Sequence, residues 1–417
     1  MTDADVLVVG GGPAGSSVAF ALARAGRDVL VVDRAHFPRS KPCAEYLSPQ
    51  ASRILDEMGV LGRVERSAAA LAGIHVRAPN GALIRGDFVA SHGFRGYRDR
   101  GLSVRREVLD AILLARARDA GARVAEGVRV TAVERDSEGR ATAATTLPGE
   151  TVRARVIVGA DGLRSVVARR LGLARTLRWP QRMSLVTHFD RVGGVGEHGE
   201  MHVERDGYVG IADVGGGVTT VALVIPASHA RHIAGDRARF LTQWLASRPH
   251  LAPRFADAKR VTPVVATGPF ASHTRRAWSP GLALVGDAAD FFDPFTGEGI
   301  YAALRGGELL ASALLEALDA PDARHADAAL ARYDAARRTE FGGKWVVERA
   351  IAAVVGAAPL INRAARRLSA RKDLADLLIG VTGDFVPARE VIRLGYLWSV
   401  FGFSLPMASP APRASLP

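Results

Sequence analysis

Residues 5–15 read Asp5-Val6-Leu7-Val8-Val9-Gly10-Gly11-Gly12-Pro13-Ala14-Gly15. The run Val6 to Val9 is unbroken by polar residues and rich in β-branched side chains, as expected of a strand buried on both faces of a parallel sheet. The glycines then fall as Gly10-x-Gly12-x-x-Gly15. The first permits a tight turn, the second lets a pyrophosphate approach the backbone, and the third lets a helix pack on the strand. The pattern predicts a helix from Ser16 to Ala25, ended by Gly26, and a second strand from Asp28 to Val32. Asp33 follows, 18 residues after Gly15, where a carboxylate can bind ribose hydroxyls. The whole is a strand-turn-helix-strand unit whose helix N-terminus faces phosphates with free N–H groups.

Working outward, Val104 to Ala120 reads as a helix, Arg123 to Val133 as a strand, and Ala141 to Leu147 and Thr151 to Val158 as strands around a Pro148-Gly149 turn. Residues 71–97 and about 181–268 alternate apolar and polar positions between Gly-rich turns, and predict one antiparallel sheet built from separate insertions. From Pro321 onward the chain is rich in alanine, arginine and leucine and reads as helical. The tail Ser409 to Pro417 is expected to be disordered.

With 417 residues, 48% of them hydrophobic and 24% charged, the composition is that of a folded globular protein and excludes disordered, collagen-like and disulfide-scaffold classes. Cys43 is the single cysteine, so no internal disulfide forms. The net charge is +12, and only four of the 55 basic residues are lysine. The arginines are scattered and form no run, so no nucleic-acid partner is expected. Met1-Thr2-Asp3 leads directly into a strand, so no secretion signal is expected, and no apolar stretch reaches the roughly 20 residues of a membrane span. These features predict a cytoplasmic protein, with contact at the inner face of the membrane as a further option.

Two later motifs share the character of the first. Gly159-Ala160-Asp161-Gly162-x-x-Ser165 follows the strand Val156-Ile157-Val158. Gly286-Asp287-Ala288-Ala289 follows Leu282-Ala283-Leu284-Val285 and presents a carboxylate at the carboxyl edge of a sheet, where ligands bind in open α/β folds. An N-cap role is the structural alternative for Asp287. Pro294 to Ile300 is then a Gly-rich turn into a helix. In this order, the three motifs resemble those of the FAD-dependent oxidoreductases with the fold of the aromatic hydroxylases. The resemblance implies an α/β fold: a Rossmann-type FAD-binding domain (1–70, 98–180 and 269–320), an inserted antiparallel β-sheet substrate domain (71–97 and 181–268), and a helical C-terminal region (321–408) before the tail (409–417).

It also implies the contacts. Gly10, Gly12, Pro13, Ala14, Gly15, Asp33 and Arg34 would hold the adenosine half of a noncovalent FAD. Arg106, spaced by four from Asp110, would lie over the pyrophosphate, Asp161 would contact the cofactor from the second loop, and Asp287, with Gly286 beside it, would bind the ribityl chain. Gly297, Gly299 and Ile300 would sit at the flavin pyrimidine edge, where a helix dipole stabilises the negative charge of reduction. The segment Phe37 to Pro49 is similar to the geranylgeranyl-reductase-like branch, which reads lysine-x-cysteine-glycine where this chain has Lys41-Pro42-Cys43-Ala44. Cys43 and Ala44 would thus lie beside the flavin, with Cys43 and Glu298 as catalytic candidates. An inert thiol and a Glu298 that only orders its turn are the alternatives.

Prenyl reductases of that branch carry a tyrosine-x-tryptophan-x-phenylalanine-proline segment. The matching Tyr208-Val209-Gly210-Ile211-Ala212 keeps only the tyrosine, which implies a remodelled pocket. The double-tryptophan segment and the catalytic lysine of flavin halogenases have no counterpart. The first expectation is therefore an NAD(P)H-dependent monooxygenase that hydroxylates a hydrophobic or aromatic small molecule through a flavin C4a-hydroperoxide. The alternative is a reductase of carbon–carbon double bonds in a prenyl or polyketide chain, and a third option is an electron-relay flavoprotein served by a donor partner. Tyr396 to Phe403 would pack against the chain's own sheet, with contact to lipid or a roof over the pocket as the alternatives. The pairs His198/His202 and His229/His232 lack a third ligand, and no metal is expected.

Overall fold

The computed structural model describes residues 2–147, 149–179, 181–233 and 235–402. The apolar run of the opening motif lies within an eight-stranded sheet. Strand Ala4–Val9 pairs in parallel with Val29–Asp33 on one side and Thr151–Gly159 on the other. Thr151–Gly159 pairs in parallel with Leu282–Leu284, and Val29–Asp33 with Arg123–Glu126. Helices Pro13–Arg24, Arg106–Asp119 and Gly299–Leu318 share one core with it. Val6, Leu7 and Val8 are completely buried, which is why this strand shows no polar alternation.

Because these strands run parallel, their carboxyl ends share one edge. Leu282–Leu284, Thr151–Gly159 and Ala4–Val9 are consecutive neighbours, so the three motif loops that follow them lie side by side.

The second large sheet has the order Lys259–Arg260, Arg182–Asp190, Val218–Pro226, Gly207–Asp213, His198–Glu204, Gly73–Arg77 and Leu83–Asp87, with Val265–Thr267 beside Arg182–Asp190. It joins the two expected insertions, and the join differs from the expectation: His198–Glu204 and Gly73–Arg77 pair in parallel. Strands from distant chain segments need no hairpin, so nothing forces them antiparallel.

Two other readings change. The strand expected over Arg123 to Val133 is two, Arg123–Glu126 and Arg129–Arg135, because Gly127 takes a left-handed turn with φ +76. The stretch 181–268 is also not all sheet. Helix Arg237–Ala246, capped by Asp236, buries Leu241, Trp244 and Leu245 against Leu185, Val209, Ile211, Val221 and Leu223 on the back of the sheet. Their spacing of three and four residues puts the three apolar side chains on one helix face.

Helices Ala323–Val355, Ala358–Ala370, Lys372–Thr382 and Leu394–Phe401 make up the C-terminal part. Among the described residues, no single helix is long and apolar enough to cross a membrane. Phe403 and the tail 409–417 lie outside the described residues. Tyr396 points inward and donates its hydroxyl to the Leu374 carbonyl at 3.1 Å, whereas Leu394 is 85% exposed and Trp398 51%.

Candidate functional site

The glycines of the first loop do different work. A Cβ at Gly15 would stand 1.9 Å from the Gly10 carbonyl oxygen, and one at Gly10 (φ +109) 2.4 Å from the Ala160 carbonyl oxygen. These two let helix, strand and neighbouring loop close on one another. Gly12 meets only an Arg39 guanidinium nitrogen, at 3.4 Å, so its side of the turn is open for a ligand. Gly12 is also the N-cap of helix Pro13–Arg24 and caps it with no side chain. Pro13 lacks an N–H, so Ala14 and Gly15 offer the first-turn amides that have no helical acceptor. Asp33 accepts the Gly11 N–H at 2.8 Å and the Ala35 N–H at 2.9 Å. Its carboxylate thus braces the turn while each oxygen keeps a further lone pair. Arg34 is exposed beside it.

The second loop brings Asp161 against Gly10. Its Oδ2 accepts the N–H groups of Val166 at 2.6 Å and Val167 at 3.3 Å. Its Oδ1 is buried without a partner, and burial raises its pKa. In the third loop Gly286 (φ +63) rests on Ala14, and Asp287 lies 3.7 Å from the Lys41 ammonium. An uncapped helix N-terminus, an open glycine and an orphaned carboxylate oxygen meeting at one sheet edge fit a dinucleotide that needs pyrophosphate donors and hydroxyl acceptors. Bound there, FAD would supply two-electron redox chemistry. Replacing Asp287 by alanine should weaken FAD retention about tenfold or more, the worth of a charged hydrogen bond. The absorbance ratio of flavin to protein after gel filtration checks it, and a fully loaded variant would remove Asp287 from the site.

Arg106 meets Asp110, as its spacing suggests. It is 4% exposed and grips Asp110 with both arms, at 2.8 and 2.7 Å. Arg39 is the arginine that lies over the open turn. It reaches Asp110 at 3.2 Å and Asp33 at 4.0 Å, with its guanidinium above the Phe37 ring. The sequence carries no signal for it beyond a basic residue in the segment 37–49.

A cavity of about 190 Å³ opens between these loops and the second sheet. Pro13, Ala14, Lys41, Cys43, Ala44, Arg106, Asp287, Gly297, Gly299 and Ile300 all border it, and so do Tyr208, Gly210 and Ala212. The pairing register fixes its floor. Val186, Ala222 and Gly210 stand opposite one another on adjacent strands, as do Ser184, Val224 and Tyr208. Tyr208 donates its hydroxyl to Asp293 at 2.7 Å. Asp293 also pairs with Arg182 at 2.8 Å, so this tyrosine is locked in the wall.

The two catalytic candidates separate. Cys43 borders the cavity, and its sulfur accepts the Glu45 N–H at 3.3 Å. Glu298 instead turns its carboxylate behind the loop into a second cavity of about 60 Å³, bordered also by Asp290, Asp293, Arg337 and Glu348. There it lies 3.5 Å from Lys344, which also contacts Asp384. Burial pushes the Glu298 pKa up against the pull of Lys344. Desolvation, and then the Glu298 charge, push Glu348 well above the usual carboxylate range. A folded-state pKa above the unfolded one means stability that is complete below the unfolded value and lost as pH rises through the folded one. Glu348→Gln should therefore match the parent near pH 4 and exceed it at about pH 8, in urea denaturation. Equal stability across that range would count against the raised pKa.

One pair gave no warning in the sequence. Glu45, with a left-handed φ of +64, is 2% exposed. It accepts the Arg106 N–H at 2.9 Å and bonds His188 Nε2 at 2.7 Å, joining the flavin-side loops to the second sheet.

Comparison with known proteins agrees with this geometry. Residues 3–342 match the family described as FAD binding domain. Digeranylgeranylglycerophospholipid reductase 2 of Methanopyrus kandleri is 31% identical over 93% of this chain and 96% of its own. The myxobacterial chondrochloren halogenase CndH superposes with TM-score 0.75 at 25% identity, over 83% of this chain and 82% of its own. A probable FAD-dependent monooxygenase from Pseudomonas aeruginosa gives 0.65 at 25% identity, over 90% and 99%. The chain belongs to the FAD binding domain family and is an FAD-dependent oxidoreductase of the geranylgeranyl-reductase-like kind.

Proposed function

We propose that the chain hydroxylates a hydrophobic, ring-bearing small molecule held in the cavity between the flavin loops and the second sheet. One oxygen atom of O₂ enters a substrate C–H bond, the other leaves as water, and NAD(P)H supplies the two electrons with a proton from solvent. The observation that carries this reading is the strand Gly207–Asp213. Its Gly210 and Ala212 border the cavity at the two positions where prenyl reductases place tryptophan and phenylalanine. Their absence widens the chamber from a slot for a thin chain towards one that admits a ring. The remaining wall is largely aliphatic and aromatic, with Leu71, Ile74, Met201, Phe270, Phe291 and Phe295. Such a wall excludes water, which an oxygen-transfer site needs to prevent wasteful peroxide release.

Reduction of a prenyl double bond is the second reading, favoured by the likeness to the Methanopyrus digeranylgeranylglycerophospholipid reductase. Oxygen separates the two. Hydroxylation predicts that NAD(P)H oxidation consumes O₂, and that without substrate it releases peroxide. Anaerobic turnover at unchanged yield would reject hydroxylation and leave the reductase reading.

A further inference from the structure

We propose that Thr220, together with the Glu45–His188 pair, forms a polar end to the cavity that binds a hydroxyl group on the substrate's apolar body. The inference rests on reading this cavity as the substrate chamber, and it specifies the class of molecule within it: a phenol or alcohol carrying a large hydrocarbon portion.

The register of the second sheet places the group. His188 stands opposite Thr220, and Thr220 opposite Ala212, on three adjacent strands. Residues directly opposite in a sheet share a face, so this row lies beside the row of Val186, Ala222 and Gly210 in the cavity floor. That neighbouring row has no side-chain polar atom. The change from apolar to polar therefore occurs across a single strand repeat.

Thr220 is 1% exposed, borders the cavity, and its hydroxyl has no hydrogen-bond partner. Of the described residues that border the cavity, it is the one with a buried side-chain oxygen left unsatisfied. Such a group costs about 1–3 kcal/mol unless something completes it. Its cross-strand neighbour does not. The two ring nitrogens of His188 are taken up by Glu45 Oε2 at 2.7 Å and Thr262 Oγ1 at 3.0 Å.

Glu45 supplies the complementary half. Glu45 borders the cavity, and its carboxylate accepts one bond at each oxygen, from the Arg106 N–H and from His188. A carboxylate oxygen takes two bonds, so an acceptor lone pair remains at each. A substrate hydroxyl can thus donate to Glu45 and accept from Thr220, a match that neither a pure hydrocarbon nor an ether makes. The left-handed backbone of Glu45 is a conformation that bulky residues hold only when the surroundings impose it, and such positions cluster at binding sites. Here the imposed conformation belongs to a residue of the cavity border.

The test uses FAD-loaded protein and two probes that differ by one oxygen, 4-dodecylphenol and dodecylbenzene, titrated against the flavin absorbance. The phenol is expected to bind at least tenfold more tightly. Thr220→Val, which keeps the shape and removes the hydroxyl, should erase about tenfold of that preference while leaving dodecylbenzene affinity unchanged. It should not lower the melting temperature, because it deletes an unsatisfied group rather than a bond. Thr220→Ser should retain the preference. Equal binding of both probes to the parent protein, or an equal loss of both in Thr220→Val, would overturn the polar end and leave the hydroxylase reading standing. If neither probe perturbs the flavin, the cavity is not the substrate chamber, and both inferences fall.

Discussion

Gly15→Ala is expected to purify colourless and to be destabilised by more than about 4 kcal/mol, among the larger effects a single substitution produces. The added methyl would lie 1.9 Å from the Gly10 carbonyl oxygen and 3.1 Å from Val8 Cγ1. The first neighbour is backbone in the tightest part of the turn, and the second is a completely buried side chain, so neither can move aside. Helix Pro13–Arg24 would have to lift away from strand Ala4–Val9, and the amides of Ala14 and Gly15 would lose their aim. Gly12→Ala is the control. Its methyl meets only the end of Arg39 at 3.4 Å, so the fold should survive while the approach to the turn is obstructed. Urea denaturation and flavin content together separate the cases. The first variant should lose both stability and colour, and the second colour alone. A stable, yellow Gly15→Ala protein would contradict the packing described for this turn.

Lys344→Met should cost about 3–5 kcal/mol at pH 8, the range for breaking a buried ion pair from one side. Lys344 is the cation between Glu298 and Asp384, and its ammonium lies 4.6 Å from the centre of the Tyr301 ring. The Asp384 side chain is completely buried, and that of Glu298 is 4% exposed. Without the lysine, the buried carboxylates of Glu298 and Asp384 lose the cation they share, with Glu348 nearby. The cost depends on their charge, so it should shrink as pH falls and they take up protons. Glu298 already binds its proton more tightly than a free carboxyl does, through burial. The parent and variant curves should therefore converge towards about pH 5, measured as urea midpoints at each pH. Adding Asp384→Asn to Lys344→Met should restore part of the loss. A pH-independent deficit would mean that the lysine acts by filling space.

The dinucleotide unit was legible because its signals are local. A buried strand declares itself as Val6 to Val9, a left-handed turn as Gly10, and a close helix–strand contact as Gly15, each within a few residues of its effect. Asp161 and Asp287 could be placed for the same reason, each standing just after a short apolar strand. Arg106 shows what local spacing leaves open. The interval of four to Asp110 marks a buried pair within one helix at the cavity border, and Arg39 lies over the open turn beside it. Spacing establishes that two residues meet, but not which way the pair faces.

The amino-acid sequence by itself determined the α/β nucleotide-binding fold and the three loops, since glycine geometry and strand hydrophobicity act over short range, while FAD as the cofactor came from the resemblance those motifs carry. Tertiary structure decided that Glu298 turns away behind its loop while Cys43, Gly210 and Ala212 border the cavity. It also decided that Glu45 meets His188 across 143 positions of chain, with Thr220 left unsatisfied beside them. The placement of Thr220, His188, Gly210 and Ala212 follows from strand register, and register emerges only when segments far apart in the chain bury their apolar faces together.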